Sequence, residues 1–111
     1  MLQKQYRLAK RKQFNYIYRK GRNVGCDCLT LVYCFARMKN IKVGFSASKK
    51  IGGSVQRHRV VRKMREGVRP FIKRMTANHN YIFVAKEPIK ERSVAQIQKS
   101  METILAKAGL L

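Results

Sequence analysis

Val61, Met64, Val68, Ile72 and Met75 recur at three- and four-residue spacing through the most basic part of the chain, a repeat that predicts a helix with two unlike faces. Between Lys49 and Arg74 there are ten Lys or Arg against one acid, Glu66. His58, Arg62, Arg65 and Arg69 fall at i, i+4, i+7 and i+11 beside the apolar stripe. One face therefore packs while its neighbour presents cations to solvent. Pro70 disfavours helical geometry at Arg69, so the helix is expected to stop or kink there, with a resumption through Met75 left open. At the other end Gly52, Gly53 and Ser54 break the pattern, and Ser54 suits an N-cap. Lys49 and Lys50 precede it, a setting that suits a phosphate at the helix start as well as it suits a plain turn.

The rest of the composition agrees with a polyanionic partner. There are 26 Lys and Arg against five acids, a formal net charge of +21 on 111 residues. Self-repulsion at that charge opposes compaction, yet hydrophobic residues at 45% are ample for a core, so the expectation is a folded domain neutralised by nucleic acid. A membrane would need an amphipathic anchor, a lipidation motif or a spanning segment, and no apolar run near 18 residues is found. The first ten residues hold no apolar stretch resembling a secretory signal, which points to the cytoplasm. Length and the lack of linkers or repeats predict one RNA-binding domain over residues 1–111. Cys26, Cys28 and Cys34 are an odd count and imply no disulfide framework. Cys26 and Cys28 have the spacing that opens a zinc site, but no second Cys/His pair follows, and His58 and His79 are isolated. All three are read as small strand cysteines, with no metal ligand assigned.

Residues 8–20 read as a helix that Gly21 ends, with Phe14, Ile17 and Tyr18 on one face. Residues 28–35 read as a strand covered on both faces: Leu29, Leu31, Tyr33 and Phe35 point one way, Cys28, Thr30, Val32 and Cys34 the other. Arg37 to Asn40 reads as a hairpin turn into a second strand, in which Ile41, Val43, Phe45 and Ala47 alternate with Lys42, Gly44, Ser46 and Ser48. Tyr81 to Ala85 is a further strand that Pro88 ends. Ser93 and Gln96 form a capping-box signature ahead of a helix whose apolar face is Val94, Ile97, Met101, Ile104, Leu105 and Ala108. The order gives an α+β chain, a two-layer α/β sandwich on one small mixed sheet.

Ser48-Lys49-Lys50-Ile51-Gly52, Val55, Arg57-His58-Arg59, Arg62 and Met64-Arg65-Glu66 together resemble the basic signature helix of the protein subunit of bacterial ribonuclease P. Arg7-Leu8 through Phe14, Tyr18 and Gly21, and Asn80 to Ala85, extend the resemblance over nearly the whole chain. Two positions depart from it. The family usually has Asn at His58, where a hydrogen-bonding side chain is kept, and Lys at Val61, where a phosphate contact is dropped.

The resemblance implies the ribosomal S5 domain 2-like fold and an accessory role in an enzyme that removes the 5′ leader from precursor tRNA. Catalysis, in that family, belongs to the large RNA, which holds the magnesium ions; the protein itself is expected to bind no cofactor. The implied partners are that catalytic RNA and precursor tRNA, with no DNA or membrane. Lys49, Lys50, Arg57, His58, Arg59, Arg62 and Arg65 would face the catalytic RNA, and Phe14, Tyr18, Thr30 and Val32 would line a cleft for the single-stranded leader. By themselves Phe14 and Tyr18 suit helix-to-sheet packing, and it is the resemblance that turns them toward bases. Stacking on aromatics tolerates any base, as leaders of differing sequence require. A ribosomal or other structural RNA-binding protein would share the charge and the fold class. A nuclease using His58 and His79 as acid and base lacks a carboxylate placed to orient either ring.

Overall fold

The computed structural model describes residues 3–37 and 39–111. Its regular elements are α1 (Arg11–Lys20), β1 (Arg22–Gly25), β2 (Leu29–Phe35), β3 (Ile41–Ser46), α2 (Ser54–Val68), β4 (His79–Ala85) and α3 (Val94–Lys107). The four strands form one mixed sheet in the order β1-β2-β4-β3. β2 runs antiparallel to both β1 and β4, whereas β3 and β4 are parallel and joined through α2.

This order corrects the hairpin expected over Arg37–Asn40, a turn that includes Met38, which lies outside the described residues. β2 and β3 are not neighbours, because β4 lies between them and His79 is the register partner of both Phe35 and Ile41. Parallel strands need a long crossover, and α2 supplies it. The short strand β1 was not resolved from the sequence, and Cys26 to Cys28 form the turn that follows it rather than part of a strand. The first helix begins at Arg11, not at residue 8. Leu8 N–H instead donates to the Val43 carbonyl at 3.0 Å, so the incoming chain lies along the outer edge of β3.

Alternation in the strands sorts the core into two parts. Leu29, Leu31, Ile41, Val43, Tyr81 and Phe83 face α2 and α3, and meet Met64, Val68, Ile97, Met101, Ile104 and Leu105 in the larger cluster. Each such large side chain, when fully buried, stabilises by about 1.5–3 kcal/mol. On the opposite face Val32 and Ile82 meet Leu8 and Ile17 in a smaller cluster beneath α1. The sandwich of sheet on α2 and α3 is thus as expected, with α1 laid across part of the far face.

Local signals explain most boundaries. Ser93 accepts from Gln96 N–H at 3.2 Å and the Gln96 side chain accepts from Ser93 N–H at 2.9 Å, the reciprocal cap expected for α3. The N-cap of α2 is Gly53, not Ser54, and makes no side-chain cap bond. Arg69 keeps right-handed helical dihedrals (φ −48°, ψ −47°) despite Pro70, and the chain tightens into a 3₁₀ turn over Arg69–Phe71. The missing proline N–H falls where α2 ends, so no interior helix bond is lost. The packed stripe of α2 is Val60, Met64, Gly67 and Val68; Val61 sits at its margin, and Phe71, Ile72 and Met75 continue the buried surface.

Candidate nucleic-acid interface

Because α2 advances about 100° per residue, burying Val60, Met64 and Val68 aims Arg57, His58, Val61, Arg62 and Arg65 to one flank. Those five, with Ala47 and Ser54, line a groove of about 270 Å³. No carboxylate lines it. Among the acids, Glu66 accepts from Arg69 at 3.2 Å and Asp27 accepts from Arg92 at 2.6 Å, and each carboxyl is held below its ordinary range chiefly by that hydrogen bond. Both pairs lie off the groove lining.

Arg57, like Arg65, is a half-buried cation of the groove. Its Nε is buried without a hydrogen-bond partner among the described residues. An unmatched buried donor destabilises by about 1–3 kcal/mol, so the guanidinium is set in an environment that favours an arriving anion. Arg59 takes a different course, lying about 100° around the helix from His58, away from the groove. On the far flank the Lys63 ammonium donates to the Arg92 carbonyl at 3.0 Å, tying that side of α2 to the connector before α3. Lys49 and Lys50 are exposed in the turn after β3, where Gly52 N–H donates to the Lys49 carbonyl at 3.1 Å and Lys50 N–H to Ser48 Oγ at 3.3 Å. The turn places both lysines in the chain shortly before α2, outside the groove wall.

A second groove of about 270 Å³ runs along the outer edge of β3. Its walls include Arg7, Leu8, Phe14, Gly44 and Phe45, and it shares Val61 and Arg65 with the first. The two therefore adjoin along Val61 and Arg65 as the two halves of a trough, cationic on α2 and largely apolar where α1 meets the sheet. Phe14 is half-buried there, and Tyr18, one turn further along α1, is 45% exposed with its ring centroid 6.4 Å from that of Phe14.

Sheet register separates the other two cleft candidates. Val32, Ile82 and Gly44 are consecutive across the sheet and lie buried beneath α1. Thr30, Val84 and Ser46 form the next row on the same face, and all three are half-buried. Thr30 thus belongs to the open row, whereas Val32, 8% exposed, is part of the floor under the helix. His58 and His79 do not share a groove. His79 sits in β4, its Nδ1 2.9 Å from the Ala77 carbonyl and its ring packed against Phe35 and Tyr81.

Two features escaped the sequence reading. Gly44 is a strand residue whose missing side chain makes room for Phe14, a relation between elements 30 residues apart. A third recess, of about 360 Å³, lies where Lys20 and Arg22 flank Phe35 and His79. Phe35 is 64% exposed there. Its alternation with Leu29 and Leu31 predicted core; at the strand end no helix covers it.

The family model described as Ribonuclease P matches residues 2–109. The ribonuclease P protein component of Chloroflexus aurantiacus is 32% identical over 111 residues, an alignment covering 99% of this chain and 82% of that protein. Among solved structures, the Staphylococcus aureus RNase P protein superposes with a TM-score of 0.84 at 31% identity, covering 95% of this chain and 96% of the other. The RNase P protein from Thermotoga maritima has the same fold at 15% identity, with a TM-score of 0.82 over 91% and 96% of the two chains.

Proposed function

Since the chain belongs to the ribonuclease P protein family, and so is the protein component of the ribonucleoprotein that processes tRNA 5′ ends, we propose that its trough divides the work between two RNA elements. The α2 half, lined by Arg57, His58, Arg62 and Arg65, rests against phosphates of the catalytic RNA. The α1 half, lined by Phe14 and extended beyond the groove lining by the exposed Tyr18 and the open row at Thr30, takes the single-stranded leader of precursor tRNA. Lys49 and Lys50 add charge at the start of α2, and Arg59 meets RNA on the outer flank of the helix.

The observation that carries this reading is that the two grooves adjoin along Val61 and Arg65. Cations on one half neutralise a folded RNA backbone, releasing its counterions, while aromatic rings on the other accept bases without choosing among them. A leader leaving the cleavage site would pass from one chemistry to the other without crossing a carboxylate. Arg65, at the junction, would hold the phosphate between them. Val61, where the family usually has Lys, leaves Arg65 as the cation of the two shared residues.

The protein supplies no catalytic group in this reading. The phosphodiester hydrolysis would belong to the RNA and the magnesium it would hold, while the cations of this chain lower the repulsion between two polyanions. Its contribution is therefore largest when magnesium is scarce and phosphates are least screened.

The test mixes the protein with a bacterial ribonuclease P RNA and a precursor tRNA at low magnesium and measures leader removal. Strong protein-dependent cleavage is expected. No rescue, with the RNA shown active alone at high magnesium, would instead favour a structural RNA-binding role.

A further inference from the structure

The turn between β1 and β2 carries a group of ligating side chains that the RNA surfaces do not use. Cys26 Sγ and Cys28 Sγ are 3.9 Å apart, and a carboxylate oxygen of Asp27 lies with them inside a 4.8 Å span. Both cysteines are free thiols. We propose that Cys26, Asp27 and Cys28 form a binding site for a thiophilic divalent cation of the zinc class.

The sulfur separation is the first argument. Two zinc–thiolate bonds of about 2.3 Å at a tetrahedral angle place their sulfurs about 3.8 Å apart, so the thiols already stand at the spacing the metal needs. Cysteines two apart in an ordinary strand would share a face but stand roughly 6.5–7 Å apart. Here the turn converges them.

The second argument is the way the turn is held. Lys86 N–H donates to the Cys28 carbonyl at 2.9 Å, and the Lys86 ammonium donates to the Cys26 carbonyl at 2.6 Å. The Arg92 guanidinium fixes Asp27 Oδ2 at 2.6 Å, and Cys28 Sγ lies 3.6 Å from Ser100 Oγ. Four contacts from the β4–α3 connector and from α3 thus preset the ligands, as outer partners do at built metal sites. Ser100 serves both states: its hydroxyl accepts from the Cys28 thiol and can rotate to donate to a thiolate.

Charge balance is the third. Each thiol gives its proton to solvent as its sulfur bonds the metal, so two thiolates and one carboxylate surround a dication and leave one net negative charge. Lys86 and Arg92 stand beside it. Asp27 offers its second oxygen while Oδ2 stays on Arg92, and a water completes four-coordination. Two sulfurs select zinc or cadmium over magnesium, which prefers oxygen ligands. The site is therefore distinct in chemistry from the magnesium that the RNA holds.

The experiment titrates the full, reduced, RNA-free chain with Cd²⁺ and Zn²⁺. Cadmium should give a sulfur-to-metal charge-transfer band that saturates at one ion per chain, is lost in Cys26→Ser and in Cys28→Ser, and survives in Cys34→Ser. Cys28 is fully buried, and its replacement could unsettle the fold. A second measurement therefore uses the unaltered protein: Zn²⁺ should protect Cys26 from alkylation, read by mass spectrometry, and leave Cys34 as reactive as before. No saturable band, a band that depends on Cys34, or equal protection of Cys26 and Cys34 would overturn the assignment.

Discussion

Phe14 on α1 lies over Gly44 on β3 so closely that a Cβ added to the glycine would stand 2.5 Å from the ring Cζ. The backbone of Gly44 is ordinary strand, so the glycine is there for the approach and not for its dihedrals. This contact sets where the aromatic wall of the trough stands. Gly44→Ala should push the ring outward. Because the atom met is the tip of a side chain that can swing, the loss of stability should be modest, about 1 kcal/mol by urea unfolding, whereas affinity for a single-stranded RNA leader should fall clearly. An unchanged affinity would mean that the Phe14 position does not matter for binding.

Phe14→Ala should weaken binding of precursor tRNA by about 1–3 kcal/mol, the worth of one stacked base, and leave binding of mature tRNA to the holoenzyme unaltered. Equal losses for both would reject the leader cleft.

The flank occupied by each arginine makes a separate prediction. If the basic helix α2, with the lysines before it, neutralises about four to six phosphates, the slope of log affinity against log salt should be roughly −3 to −5. Arg62→Ala should flatten it by about one unit. Arg59→Ala removes the same charge from outside the groove, and its effect on the slope should be the smaller. A slope near zero for the unaltered protein would dismiss the electrostatic account.

Asp27 and Arg92 predict a dependence on acid. The arginine lowers the folded-state pKa of the carboxyl, so the stabilisation it gives is present above the unfolded-state value of about 3.9 and fades as pH falls through the folded value. The stability difference between the unaltered protein and Asp27→Asn should therefore be constant from pH 5 to pH 7 and shrink below about pH 4. A difference that grew on acidification would contradict the pairing.

Ser93→Ala removes one arm of the reciprocal cap on α3. Because α3 supplies Ile97, Met101, Ile104 and Leu105 to the larger core, loosening its first turn should be felt globally. The expected loss is about 1 kcal/mol in chemical denaturation. Ser54→Ala, at a serine that makes no cap bond, should change stability far less.

Much of this architecture was legible in local patterns. The capping box, the alternation in β2 and β3, and the basic helix are short-range properties, each fixed by sterics or by a repeat of 2.0 or 3.6 residues. The cationic stripe of His58, Arg62 and Arg65 could be named before any fold was known, and the resemblance supplied the family. Val60 and Val61 mark where the pattern stopped deciding. Adjacent apolar residues fit the same helical stripe almost equally well, and only the position of α2 on the sheet buried Val60 and left Val61 to line both grooves.

Sequence by itself determined the charge, the helix periods and the residue types able to meet RNA, because those depend on neighbours within a turn or two. Tertiary structure alone decided that β4 enters between β2 and β3, that Val32 lies under α1 while Thr30 stays open, and that Gly44 receives Phe14. It also turned Cys26 and Cys28 toward one another. The first three are contacts between segments far apart in the chain, and the cysteine turn is held by the equally distant Lys86, Arg92 and Ser100; no local repeat encodes which distant face each segment will meet.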